Sequence, residues 1–232
     1  MASPPSSSSR PSDGPAVREN VFLFIPNVIG YFRVILALTS FYFLSNRPWI
    51  AMLLYSISCL LDAVDGHAAR YFKQTSRFGA VLDMVTDRST TTCLLVHLTL
   101  QHPQLALLFQ VLISLDLSSH YMHMYSSLTS GASSHKVMDS KSNPLLRLYY
   151  TSSTVLFLVC AGNELFFIAW YLTGALPDEF AQKGAFALAV TMFPIMAFKQ
   201  ILNVVQLVGA SRRLAEVDLR QRQLEAEGKK SS

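Results

Sequence analysis

The chain has 232 residues, 51% of them hydrophobic and only 15% charged, with a net charge of +4. A soluble domain carries about 25% charged residues, so the composition excludes an ordinary soluble globule and points to a membrane. So small a net charge gives no reason to expect a nucleic-acid partner. Cys59, Cys93 and Cys160 stand alone in apolar runs without a CxxC pair, which supports neither a zinc site nor a disulfide framework and leaves reduced, buried thiols as the expectation.

Taken in order, residues 1–20 are rich in Ser and Pro and lack an apolar stretch, so they do not read as a cleavable signal peptide. The run from Ser3 to Pro15 has too little apolar surface to order itself and is expected to be flexible. Six apolar segments then follow at 27–44, 49–70, 78–100, 104–126, 146–173 and 182–209. Each is close to the ~20 residues that cross a hydrocarbon core. The breakers Asn46-Arg47-Pro48, His102-Pro103, Asn143-Pro144 and Leu176-Pro177-Asp178 separate them. The expected fold class is all-α: an integral six-helix membrane domain over 21–210, between a flexible N-terminal tail (1–20) and a cytosolic C-terminal tail (211–232). That tail mixes Arg and Glu with Leu214, Val217, Leu219 and Leu224. It suits either a helix lying on the membrane surface or a solvated one.

Topology follows from the basic residues. With six spans, one side holds Arg10, Arg18, Arg70, Lys73, Arg77, Lys136, Lys141, Arg147 and the cluster after Ser211. The connections on the other side hold only Arg47 and Lys183. The excess of Lys and Arg marks the cytosolic side, so both termini and the loop after the second span are expected there.

Around that loop lies DAVDGHAARYFKQTSRFGAVLDMVTD, Asp62 to Asp87. Asp62/Asp65 and Asp83/Asp87 are spaced by three and four residues, which puts each pair on one helix face. An Asp at the centre of a span costs about 2.5–3.5 kcal/mol, so four need compensation. Oxygen donors in this number suit a hard divalent cation such as Mg²⁺ or Mn²⁺. The small residues Ala63, Gly66, Ala68, Ala69, Gly79 and Ala80 let helices and a ligand approach closely. A purely structural alternative pairs the carboxylates with Arg70, Arg77 and Arg88, and leaves those small residues unexplained.

The pattern Asp62-x2-Asp65-Gly66-x2-Ala69-Arg70-x8-Gly79-x3-Asp83-x3-Asp87 resembles the signature of the CDP-alcohol phosphotransferases at every fixed position. The resemblance implies metal ligation by Asp62, Asp65 and Asp83, with Asp87 as proton acceptor and a further metal contact. It also implies that Gly66 and Ala69 make room for the nucleotide of CDP-diacylglycerol and that Ser76 contacts it. Arg70 suits a phosphate contact through its two-pronged guanidinium. Pro26-Asn27 followed by Arg33 is similar to the family's first-helix start. Arg33 is open to two readings, a phosphate contact or a stabiliser of the cytosolic interface.

Asp116, His120 and His123 share one face of the fourth span. Asp116 and His120, with Ser134-His135-Lys136, resemble the inositol-using branch of the family, which puts Asp116, His120 and Lys136 on the inositol side. What the resemblance implies is a metal-dependent enzyme that transfers the phosphatidyl group of CDP-diacylglycerol to myo-inositol and releases CMP. Another alcohol such as glycerol 3-phosphate is the alternative within the family, and a metal-binding membrane transporter the alternative outside it. A homodimer is a further family expectation. The ending Lys229-Lys230-Ser231-Ser232 resembles a dilysine retrieval signal for the endoplasmic reticulum.

Overall fold

The computed structural model describes residues 19–129 and 152–228. Among them a 3-10 turn, Val21–Leu23, leads into α1 (Ile25–Phe43), α2 (Pro48–Tyr71), α3 (Arg77–Gln101), α4 (Ala106–Thr129), α5 (Ser153–Ala175) and α6 (Glu179–Gly228), and no strand occurs. Five of the six are long and apolar enough to cross a membrane; α3, interrupted by Arg77, Asp83, Asp87 and Arg88, is the exception. The expected all-α membrane architecture is therefore present, with its most polar helix at the expected site.

The helix ends follow the local chemistry. Proline opens α1 and α2, where its missing N–H is no loss. The Ser76 hydroxyl accepts from Gly79 N at 2.9 Å and caps α3. Asp178 accepts from Ala181 N at 2.7 Å at the start of α6. Lys73, at φ 54°, takes the left-handed conformation that ends α2 and turns the chain toward α3.

Helices α1 and α2 form a close antiparallel pair, and α6 packs against both α4 and α5. An apolar core of Tyr55, Leu94, Leu98, Phe167 and Tyr171 fills the end of the bundle away from the Asp-bearing turn. Outward-facing Leu53, Leu60, Leu107, Val190 and Ile201 are exposed, as a lipid-facing surface requires.

α6 runs on past 209 to Gly228 as one helix of 50 residues, so the described part of the tail is helical, as either reading of it requires. One expectation needs correction. The cysteines are free, but Cys93 is exposed rather than buried, and Cys59 and Cys160 are only half-buried where they pack against apolar core residues. The first part of the anticipated fifth span, the Asn143-Pro144 break, Lys136 and the terminal dilysine lie outside the described residues.

Candidate active site

The α2–α3 hairpin places the acidic pairs opposite one another. Asp62 and Asp65 lie in the last turns of α2, Asp83 and Asp87 in the first turns of α3, and the 72–76 turn brings them face to face. Asp62, Asp83 and Asp87 each offer a carboxylate oxygen within 4.8 Å of the others, a grouping compact enough to hold a metal ion. Asp65 is the most buried of the four, 7% exposed.

At their centre stands Arg33 of α1. Its Nη1 lies 2.6 Å from Asp65 and 2.9 Å from Asp83; its Nη2 lies 2.9 Å from Asp62 and 2.5 Å from Asp87. Arg33 is 2% exposed and serves as counter-ion to the acidic cluster, a role that neither sequence reading gave it. The Ser58 hydroxyl donates to the Arg33 carbonyl at 2.9 Å and ties that turn of α1 to α2.

The donor set fits a divalent cation. Four carboxylates face the Arg33 guanidinium, with Arg88 as a further cation 3.7 Å from Asp87, so acidic groups outnumber the nearby cations in surroundings where charge is costly. Arg33 also keeps one buried nitrogen, Nε, without a partner, so its hydrogen bonding to the cluster is incomplete. Hard oxygen donors converging from two helices match Mg²⁺ or Mn²⁺ better than a softer metal.

The remaining sequence-derived residues frame the cluster. Arg70 is exposed at the rim, near the α2–α3 turn, and its guanidinium passes over Gly66, where a Cβ would sit 3.6 Å from Nη1. Ala69 is half-buried beside it. The Ser76 hydroxyl oxygen accepts from Gly79 N in capping α3, a bond that does not use its own proton. Gly79 is required by close approach: a Cβ there would fall 2.6 Å from Asn27 Oδ1.

Asp116 and His120 lie on the cluster's α4 side, where Asp116 is already engaged. Both its oxygens accept from Arg88 Nη1, at 2.7 and 2.8 Å, and Oδ1 also accepts from Asn203 Nδ2 at 3.2 Å. His120 Nδ1 contacts the Asp116 carbonyl at 2.8 Å. His123 is buried near Arg213, 3.2 Å away.

Sequence reasoning missed a polar layer deeper in the bundle. Glu164 of α5 accepts from Tyr55 at 2.7 Å, Thr91 at 2.9 Å and Asn163 at 3.2 Å. Lys199 of α6, 3% exposed, donates to Asn203 at 2.6 Å. The signal was available: Glu164, Lys199 and Asn203 interrupt otherwise apolar spans, and ionisable groups there face the bundle interior.

The comparisons with known proteins agree with this geometry. The CDP-alcohol phosphatidyltransferase family profile matches residues 23–212. A Schizosaccharomyces pombe protein named CDP-diacylglycerol–inositol 3-phosphatidyltransferase is 48% identical over 88% of this chain and 93% of its own length. The protein of that name from Homo sapiens is 47% identical over 86% of this chain and 95% of its own. The Saccharomyces cerevisiae protein of that name is 49% identical over 86% and 90%. No solved structure matches.

Proposed function

The chain belongs to the CDP-alcohol phosphatidyltransferase family, and on that premise we propose that it transfers the phosphatidyl group of CDP-diacylglycerol to myo-inositol, giving phosphatidylinositol and CMP. The observation that carries this reading is identity of 47–49% over most of both chains to relatives named for that reaction. The complete eight-position motif on the α2–α3 hairpin supports it.

In this reading Asp62, Asp65, Asp83 and Asp87 hold Mg²⁺ or Mn²⁺, which supplies positive charge for the pyrophosphate and for the charge that builds on departing CMP. Arg70 binds a phosphate at the rim, Gly66 and Ala69 leave space for the cytidine and ribose, and Ser76 donates to the nucleotide. Asp87 takes the proton of the inositol hydroxyl as its oxygen bonds to the lipid-side phosphorus. The bond from that phosphorus to CMP breaks in the same displacement. The α4 face with Asp116 and His120 forms the acceptor side, together with Lys136.

Acyl chains enter from the bilayer and inositol from the cytosol, since the basic Arg70, Lys73 and Arg77 flank the turn that carries the site. The same charge distribution supports cytosolic termini, the dilysine ending supports the endoplasmic reticulum, and family membership supports a homodimer. The experiment is an acceptor panel on the purified protein: CDP-diacylglycerol with inositol, glycerol 3-phosphate or no acceptor, scored by CMP release and lipid product. Inositol-dependent CMP is the expected result. Preference for glycerol 3-phosphate would move the chain to another branch, and no CMP with any acceptor would favour a carrier.

A further inference from the structure

Behind the four carboxylates, a chain of buried polar groups connects Asp87 to three other helices. Arg88 Nη2 lies 3.7 Å from Asp87 Oδ2, while Asp87 Oδ1 faces Arg33 Nη2 at 2.5 Å. The two oxygens of Asp87 therefore look toward guanidinium groups from different helices. Arg88 does not hold this position alone. Asp116 clasps its Nη1 with both oxygens, at 2.7 and 2.8 Å, and Asn203 in turn holds Asp116. Lys199 donates to Asn203 at 2.6 Å and fixes the amide so that its NH₂ points at Asp116.

We propose that Asp116 is a positioning residue: acting through Arg88, it fixes the orientation of the Asp87 carboxylate in the transfer reaction. The inference rests on reading Asp87 as the proton acceptor. Arg88 is a long side chain with several rotatable bonds, and the two-oxygen clasp selects one of its conformers. Without the clasp Arg88 is free to turn fully onto Asp87 and withdraw that carboxylate from the acceptor. Small displacements of a reacting group are costly, since misplacement by about 1 Å loses roughly 10²-fold in rate. The geometry also argues against Asp116 as a direct partner for an inositol hydroxyl. Its oxygens already receive Arg88 and Asn203, and its side chain is 13% exposed.

The test is a kinetic double-mutant cycle in detergent or proteoliposomes with wild type, Arg88→Gln, Asp116→Asn, the double variant, Asn203→Ser and Asp87→Asn. Asp116→Asn is expected to lower kcat about 10–100-fold, the range seen when the support of a functional side chain is removed, with both KM values within about two-fold. The double variant is expected to be no slower than the slower single variant, because each substitution removes the same linkage. Asn203→Ser is expected to lower kcat less, in the same direction, and carries the test if Arg88→Gln does not fold. Effects of Arg88→Gln and Asp116→Asn that multiply, or a raised inositol KM with kcat intact in Asp116→Asn or Asn203→Ser, would overturn the proposal. Turnover by Asp87→Asn would instead remove the premise that Asp87 is the base. An inactive Asp87→Asn beside multiplying effects sinks this inference alone.

Discussion

Arg33 Nη1 and Asp65 Oδ2 meet at 2.6 Å, the most deeply buried of the four ion pairs that Arg33 makes, with side chains 2% and 10% exposed. The contact joins α1 to α2 and gives the acidic cluster a counter-charge that belongs to the chain itself. Removing one partner of a buried ion pair costs about 3–5 kcal/mol, because the other charge is left uncompensated.

Arg33→Gln is therefore expected to lower the unfolding temperature in EDTA. Added Mg²⁺ should recover more of that loss than it adds to the wild type, since cations then supply the positive charge Arg33 provided. Thermal unfolding in detergent, with and without Mg²⁺, reads both effects. Equal gains from Mg²⁺ in the two proteins would mean that Arg33 and the metal do not share the carboxylates.

Asp65 and Asp87 are expected to separate when each is converted to Asn. Asp87→Asn removes the base and should abolish turnover while CDP-diacylglycerol still binds. Asp65→Asn removes the most buried of the four carboxylates and should weaken both. Equilibrium binding of the liponucleotide, measured beside turnover, distinguishes the two roles; equal loss of binding contradicts them.

Chelation gives a third expectation. EDTA should stop CMP release, and Mg²⁺ or Mn²⁺ added back should restore it in the same sample. Activity that continues in excess chelator excludes the carboxylates as metal ligands in the reaction.

The acidic pairs and the helices that carry them were legible because their information is local. Spacings of three and four residues set the faces, Pro and Ser set the helix starts, and runs of apolar side chains set the spans. The partner of the four carboxylates was not legible. Arg33 is 29 residues from Asp62 in the chain, and only the α1–α2 turn decides that they meet. The Arg88–Asp116–Asn203 linkage was hidden for the same reason: it joins α3, α4 and α6, and no periodicity within one helix reports it. That the tail helix is continuous with the last span was not legible either, because the change in composition past 209 does not say whether Gly209 and Ser211 interrupt the helix, and they leave it intact.

Tyr55 tests the deeper polar layer. It is fully buried and donates to Glu164 at 2.7 Å. Tyr55→Phe keeps the ring but deprives a carboxylate inside the bundle of one donor, a loss of about 1–3 kcal/mol. A lower denaturation midpoint with turnover per folded molecule unchanged is expected. Loss of turnover at unchanged stability would instead give Glu164 a part in the chemistry.

Gly79 gives the most direct structural test of how α1 and α3 are held together at the site. A methyl group there would lie 2.6 Å from Asn27 Oδ1, far inside contact distance. Asn27 cannot easily yield: it is 1% exposed, and its Nδ2 donates to the Val21 carbonyl at 2.6 Å. Gly79→Ala must therefore either break that bond or push α3 from α1, at a cost of about 1–3 kcal/mol. Asp83 lies one turn further along α3, so the second outcome also draws it from Arg33, which it meets at 2.9 Å. Asn27→Ala removes the obstructing oxygen at the expense of its own hydrogen bond. The double variant should thus be more stable than the sum of the two single losses predicts. Unfolding midpoints of all four proteins give the coupling; strict additivity would mean that the methyl group is absorbed elsewhere and that Asn27 does not set the α1–α3 spacing.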